Sequence, residues 1–288
     1  MKSTASFTLI ELMAASAVLS VVLLMMVGMQ DQMSRAWANA NRRTDATREA
    51  SAACRLMAQD LGCLIFRHPG GNSVPFDENK SLALSLRTYG IPFLYSSNGV
   101  VPTFSISSNQ PNAAYFFGIT AKAPSASGPD DYAIVGYYIA SGPWTNAQGF
   151  LSTNYNLYRY YVPPSDTVDR LVKWLATAPS ARTADILFSP DPAKDEILAR
   201  NTCNLRITAY NRTDGKTKGQ GNPVTNGLNY QFVSSGETTF YSGSKLQVEM
   251  SAYPEEYAQK LTLTSWATSN NIQRYARSFE FRVDIPRD

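Results

Sequence analysis

A single carboxylate, Glu11, interrupts an otherwise uncharged apolar run over residues 7–29 of this 288-residue chain. An ionised acid at bilayer depth costs about 3 kcal/mol on insertion scales, so one kept there points to a charge partner. Its chemistry is electrostatic: in low dielectric it can hold an ammonium group that would otherwise be left without a counter-ion.

The other reactive side chains point away from catalysis. The chain has three cysteines, Cys54, Cys63 and Cys203, and one histidine, His68. Cys54 and Cys63 are nine residues apart, which on one helix puts them on opposite faces about 13 Å apart, beyond bridging distance. Cys63 follows Gly62 and can leave the helix to meet Cys203; three reduced thiols are the other open state. No Cys-x-x-Cys pair exists to hold zinc, and His68 sits alone beside Pro69-Gly70-Gly71. A nucleophile and its base therefore have only this candidate, which reads as a loop residue. Asp130-Asp131 and Glu255-Glu256 are adjacent in sequence and read as turn and helix-start residues, not a convergent acid/base pair. Asp191, Asp195 and Glu196 lack the regular spacing of a calcium loop. The expectation is no catalytic residue, no metal and no cofactor.

The elements that would position Glu11 follow from periodicity and length. The 23 residues 7–29 match the roughly 20 that span a bilayer as a helix. A conventional secretory signal has a shorter apolar core and a small-x-small cut site, which 25–30 does not offer. Beyond it, Trp37, Ala40, Thr44, Thr47, Ser51, Cys54, Ala58 and Leu61 recur at three- and four-residue steps, which predicts a continued helix packed by that stripe. Gly62 and Pro69-Gly70-Gly71 end it. A helix over 7–61 would be roughly 80 Å long.

From residue 72 onward the pattern is strands and turns. Candidate strands are 82–86, 91–95, 100–106, 114–120, 132–140, 157–162, 205–211, 229–234, 245–253 and 278–285. The Tyr-rich pair 132–140 and 157–162 predicts a hairpin. Short helices are expected at 166–176, capped by Asp166, and from Pro254 to about 266. The fold class is α+β: a long N-terminal helix, half membrane and half amphipathic, packed on an antiparallel β-rich domain. Net charge is +3 with no Lys/Arg block, so no nucleic-acid partner is expected.

The start of the chain, the short basic Met1-Lys2-Ser3-Thr4-Ala5-Ser6 followed by Phe7-Thr8-Leu9-Ile10-Glu11, resembles the type III signal of type IV pilin-like proteins. In that family a basic leader ends in a small residue, Phe opens the mature chain, and Glu stands at its fifth position. Phe7 and Glu11 match; Ser6 departs from the preferred Gly but is nearly as small. The resemblance implies cleavage between Ser6 and Phe7 by prepilin peptidase, N-methylation of Phe7, and pairing of Glu11 with a Phe7 amine during assembly with other pilins. It also implies a single pass through the inner membrane, with the N-terminus cytoplasmic. The domains are then a leader 1–6, a membrane half 7–29, an amphipathic half 30–62 and an extracytoplasmic β-rich domain 63–288.

The helix end Met57-Ala58-Gln59-Asp60-Leu61, the Tyr-rich pair and the strands at 203–210, 245–253 and 279–285 are similar to J-type minor pseudopilins of type II secretion. Their enlarged, loop-rich setting is also similar to prepilin-like cassette proteins. The J-type likeness implies a structural subunit at the tip of a pseudopilus or type IV pilus-like filament. Its partners would be other pseudopilins and a secreted protein substrate. The alternative is a minor pilin acting as an adhesion or ligand-binding module.

Overall fold

In this computed structural model the described residues are 9–65, 93–96, 115–121, 132–145, 151–178, 184–210, 245–261, 266 and 268–284. The expected strands at 82–86, 100–106 and 229–234, together with Ser6, Phe7, His68 and Asp130-Asp131, lie outside them. The chain divides into two compact units, Met1–Asp45 and Ala46–Asp288.

Helix α1 (Leu9–Gly62) is one 54-residue element. It contains no proline, and the two serines of its apolar part bond to the helix's own backbone. Ser16 Oγ donates to the Met13 carbonyl at 2.9 Å and Ser20 Oγ to that of Ser16 at 2.8 Å. Within the first unit its side chains face outward: Leu9, Ile10, Leu24 and Met29 are among the most exposed apolar side chains of the described residues. A helix that is apolar on its exposed surface is soluble in lipid, not in water.

The second unit is a layered α+β domain of antiparallel sheets. The first sheet has the order β1 (Leu94–Ser96), β2 (Tyr115–Ala121), β3 (Tyr132–Thr145), β4 (Leu151–Val162), β5 (Glu196–Ala199). The second has β6 (Thr202–Tyr210), β7 (Lys245–Ala252), β8 (Arg277–Asp284). Both faces of the first sheet are covered, which explains why β3 reads as a near-continuous apolar run instead of an alternation. Val135, Tyr137 and Ile139 face a core shared with α1 and the second sheet. Ile134, Tyr138 and Ala140 face a second core under helix α2 (Pro164–Ala176).

Helix α2 buries Thr167, Leu171, Trp174 and Leu175, one stripe at helical spacing. The sequence places its cap at Asp166, but the helix starts on Pro164, whose missing N–H costs nothing there. Thr167 then stitches helix to sheet: its hydroxyl accepts from the Ile134 amide at 3.2 Å and donates to the Val162 carbonyl at 3.1 Å. The expected helix from Pro254 is shorter than predicted. It forms as α3 (Glu255–Ala258), and α4 (Ser269–Tyr275) follows Trp266. Trp266 is fully buried and packs edge-on to Tyr155 and Tyr253, and the Tyr253 hydroxyl donates to its carbonyl at 2.6 Å.

The link from β5 to β6 carries the chain between sheets in two residues. Asn201 adopts a φ of 54° there and Asn204 one of 55° at a bulge in β6. Asn tolerates this left-handed region better than other side chains do. Strand β5 itself was not among the predicted strands, because its exposed Glu196 and Ile197 follow a turn-like acidic stretch.

Gly136 in β3 permits the tightest packing in the second core. A Cβ there would lie 2.0 Å from a ring carbon of Phe117. Phe117 is fully buried and held by Tyr138, Tyr160 and Phe188 at ring-centroid distances of 5.8–5.9 Å. The ring has nowhere to go, so Gly136→Ala is expected to destabilise the domain by about 3 kcal/mol, the upper end for overpacking. A denaturant midpoint within error of wild type would contradict this account of the core.

Candidate assembly site

Glu11 lies in the first turn of α1 and is exposed. The helix that carries it is the one described helix long and apolar enough to cross a membrane. Glu11 is the acid of its first turn, with uncharged residues around it to Asp31. Beyond the apolar part, Asp31 and Arg35 form an exposed i,i+4 ion pair at 2.9 Å, of the kind that adds a few tenths of a kcal/mol to a helix.

At its other end α1 is fastened to the β-domain. The buried face is Ala50, Ala53, Met57 and Leu61, continued by Leu64 beyond the helix, with Cys54 and Ala58 at the flanks. This corrects the expected stripe, which shares only Leu61 with the fully buried set. Small polar residues such as Thr47 and Ser51 imitate a close-packed face at nearly the same phase, and Trp37 is 72% exposed. The Arg277 guanidinium donates to Thr47 Oγ1 at 3.3 Å, and Gly62 faces Val283. The docked part of α1 therefore runs alongside β8 in the same direction. After Gly62 the chain hooks into the first sheet: Ile65 N donates to Ile119 O at 3.0 Å, and Leu64 bridges Thr120.

A polar cluster closes this seam. Asp60 Oδ2 accepts from the Tyr137 hydroxyl, from Arg159 Nε at 2.9 Å and from Arg159 Nη2 at 2.7 Å. The Arg159 and Asp60 side chains are only 15% and 14% exposed. Tyr137 and Arg159 are direct partners across β3 and β4, so one carboxylate on the helix grips two neighbouring strands. Arg159 is further steadied by Glu196 at 3.7 Å and by the Tyr161 ring beneath its guanidinium. Burial, and then the Asp60 charge, push the Tyr137 hydroxyl well above its ordinary pKa, so it stays protonated and donates. In the sequence Asp60 belongs only to the helix-end motif Met57-Ala58-Gln59-Asp60-Leu61, and the clamp arises from the approach of β3 and β4. Its one signal was Arg159 inside the aromatic strand segment Leu157-Tyr158-Arg159-Tyr160-Tyr161.

The thiols are not bridged. Cys63 is exposed in the turn after α1, while Cys203 is fully buried on β6 beside the Tyr253 hydroxyl. All three cysteines are free in the structure. Burial raises Cys203 to about 12 and Cys54 to about 11, which leaves both as inert thiols at neutral pH.

The acidic turn before β5 is structural in its contacts. Asp195 Oδ2 accepts from the Tyr138 hydroxyl at 2.6 Å and from Asp191 N at 2.9 Å. Asp191 accepts from Ala193 N at 3.0 Å and pairs with Lys194 at 2.9 Å. Among the described residues no group of acids, cysteines or histidine is placed to hold a metal ion. Burial raises the Asp195 pKa above the ordinary 3.8, outweighing its hydrogen bonds. A raised carboxyl favours the folded state while it is protonated. Its contribution is full below pH 3.8 and is lost as pH climbs through the folded-state value. In Asp195→Asn this loss of stability over the mildly acidic range is expected to disappear. An unchanged slope of unfolding free energy against pH would refute it.

The prokaryotic N-terminal methylation motif matches residues 1–27. The match supports a type IV pilin-like protein. It takes in Ser6, Phe7 and Glu11, the residues whose order and chemistry first suggested a processed, charge-paired N-terminus. No curated protein matches the chain. The motif implies processing by prepilin peptidase and assembly with other pilins, and the proteins that carry it are structural. With the one helix among the described residues that is long and apolar enough to cross a membrane, it supports a single-pass, membrane-anchored, pilin-like chain whose β-domain follows the helix.

Proposed function

We propose that this chain is a minor subunit of a type II secretion pseudopilus or a type IV pilus-like filament, placed at its tip. The observation that carries the proposal is the methylation motif on a 54-residue helix with an acid in its first turn. The leader 1–6 lies in the cytoplasm, 7–29 spans the inner membrane, and 30–62 leads into the domain 63–288 on the far side. Prepilin peptidase cuts between Ser6 and Phe7, and Phe7 is then N-methylated.

Glu11 pairs with the Phe7 amine of a neighbouring subunit. In the bilayer, each charge alone pays a desolvation cost that the other offsets, so the pair sets the axial register of incoming subunits. The β-domain contacts other minor subunits or a secreted protein. No step of this role is chemical catalysis by the chain.

Mass spectrometry of the mature N-terminus tests the processing. The expected result is a chain beginning at N-methylated Phe7; one that keeps Met1, or that starts after residue 29, rejects the reading. The J-like placement is tested by deletion: secretion is expected to fail while the other subunits remain in the membrane. Intact secretion with lost surface attachment would favour an adhesive minor pilin instead.

Ser6 offers a graded check. Gly at the cut is smaller and frees the backbone for the peptidase, so Ser6→Gly is expected to be processed at least as fast as the wild type in a pulse-chase measurement. Slower processing would count against the leader assignment.

A further inference from the structure

We draw no further inference here: the strongest candidate, the exposed apolar patch formed by Met33 and Trp37 one turn apart on α1 beyond its membrane-spanning part, is an unpartnered helix face, and nothing in the structure shows what covers it.

Discussion

Replacing Glu11 by Ala is expected to leave the chain inserted in the membrane and to lower its incorporation into filaments by roughly tenfold or more, the effect of losing about 1.4 kcal/mol from a subunit contact. Insertion survives because the substitution removes the acid of the first turn and makes the span more apolar. On the proposed pairing, assembly suffers because the Phe7 amine of a neighbouring subunit would enter low dielectric without a counter-charge. Glu11→Gln separates charge from size. It keeps the length and hydrogen-bonding of the side chain, so an equal loss in both variants assigns the effect to the charge. The measurement is cross-linking of the subunit to its filament neighbours, normalised to its amount in the washed membrane fraction. Wild-type cross-linking in both variants would remove Glu11 from assembly and leave it, at most, a determinant of cleavage.

Asp60→Ala is expected to destabilise the β-domain by about 3 kcal/mol, the lower end of the range for breaking a buried ion pair. The lower end applies because Glu196, at 3.7 Å, keeps Arg159 partly compensated. The loss has two parts: Arg159 is left with a distant, mostly exposed partner, and the buried Tyr137 hydroxyl loses its acceptor. At roughly 2–4 °C per kcal/mol for a domain of this size, the melting temperature should fall by about 6–12 °C. Tyr137→Phe alone removes one neutral donor and is expected to cost about 1 kcal/mol. In the double variant the two costs should not add, because both act through the same oxygen. Thermal unfolding of the full chain in detergent, followed by near-ultraviolet circular dichroism, reads all three. A melting temperature for Asp60→Ala within 2 °C of the wild type would mean that the apolar seam alone holds the helix down.

The two effects concern opposite ends of one helix, and they were not equally legible. Glu11 is visible in the sequence because its surroundings are uniform: one acid among 23 residues needs no fold to be out of place. The importance of Asp60 is not visible in that way. On a helix surface an acid one residue before Leu61 looks like any solvated position, and only the approach of β3 and β4 makes it buried.

The same distinction runs through the fold. The end of α1 at Gly62 and the Tyr-rich hairpin were legible, because a glycine stop and a strand pattern act over a few neighbouring residues. The packing face of α1 was displaced from the expected stripe. Ala50 and Ala53 are weak hydrophobic signals, and Thr47, Ser51 and Cys54 are similar enough in size to suggest a neighbouring phase. The short strand β5 was hidden for a related reason. It is half exposed at a sheet edge, so its residues carry little of the alternation that marks a strand.

Local chemistry in the sequence thus determined the membrane-compatible helix with its lone acid, and the α+β order of elements behind it. Each depends on hydrophobicity and backbone preference within one segment. Only the tertiary structure decided that Asp60 clamps Tyr137 and Arg159, and which face of α1 is buried. Those outcomes depend on which residues distant in sequence meet, and a contact between residues 60 and 159 leaves no periodic trace in the segments that make it.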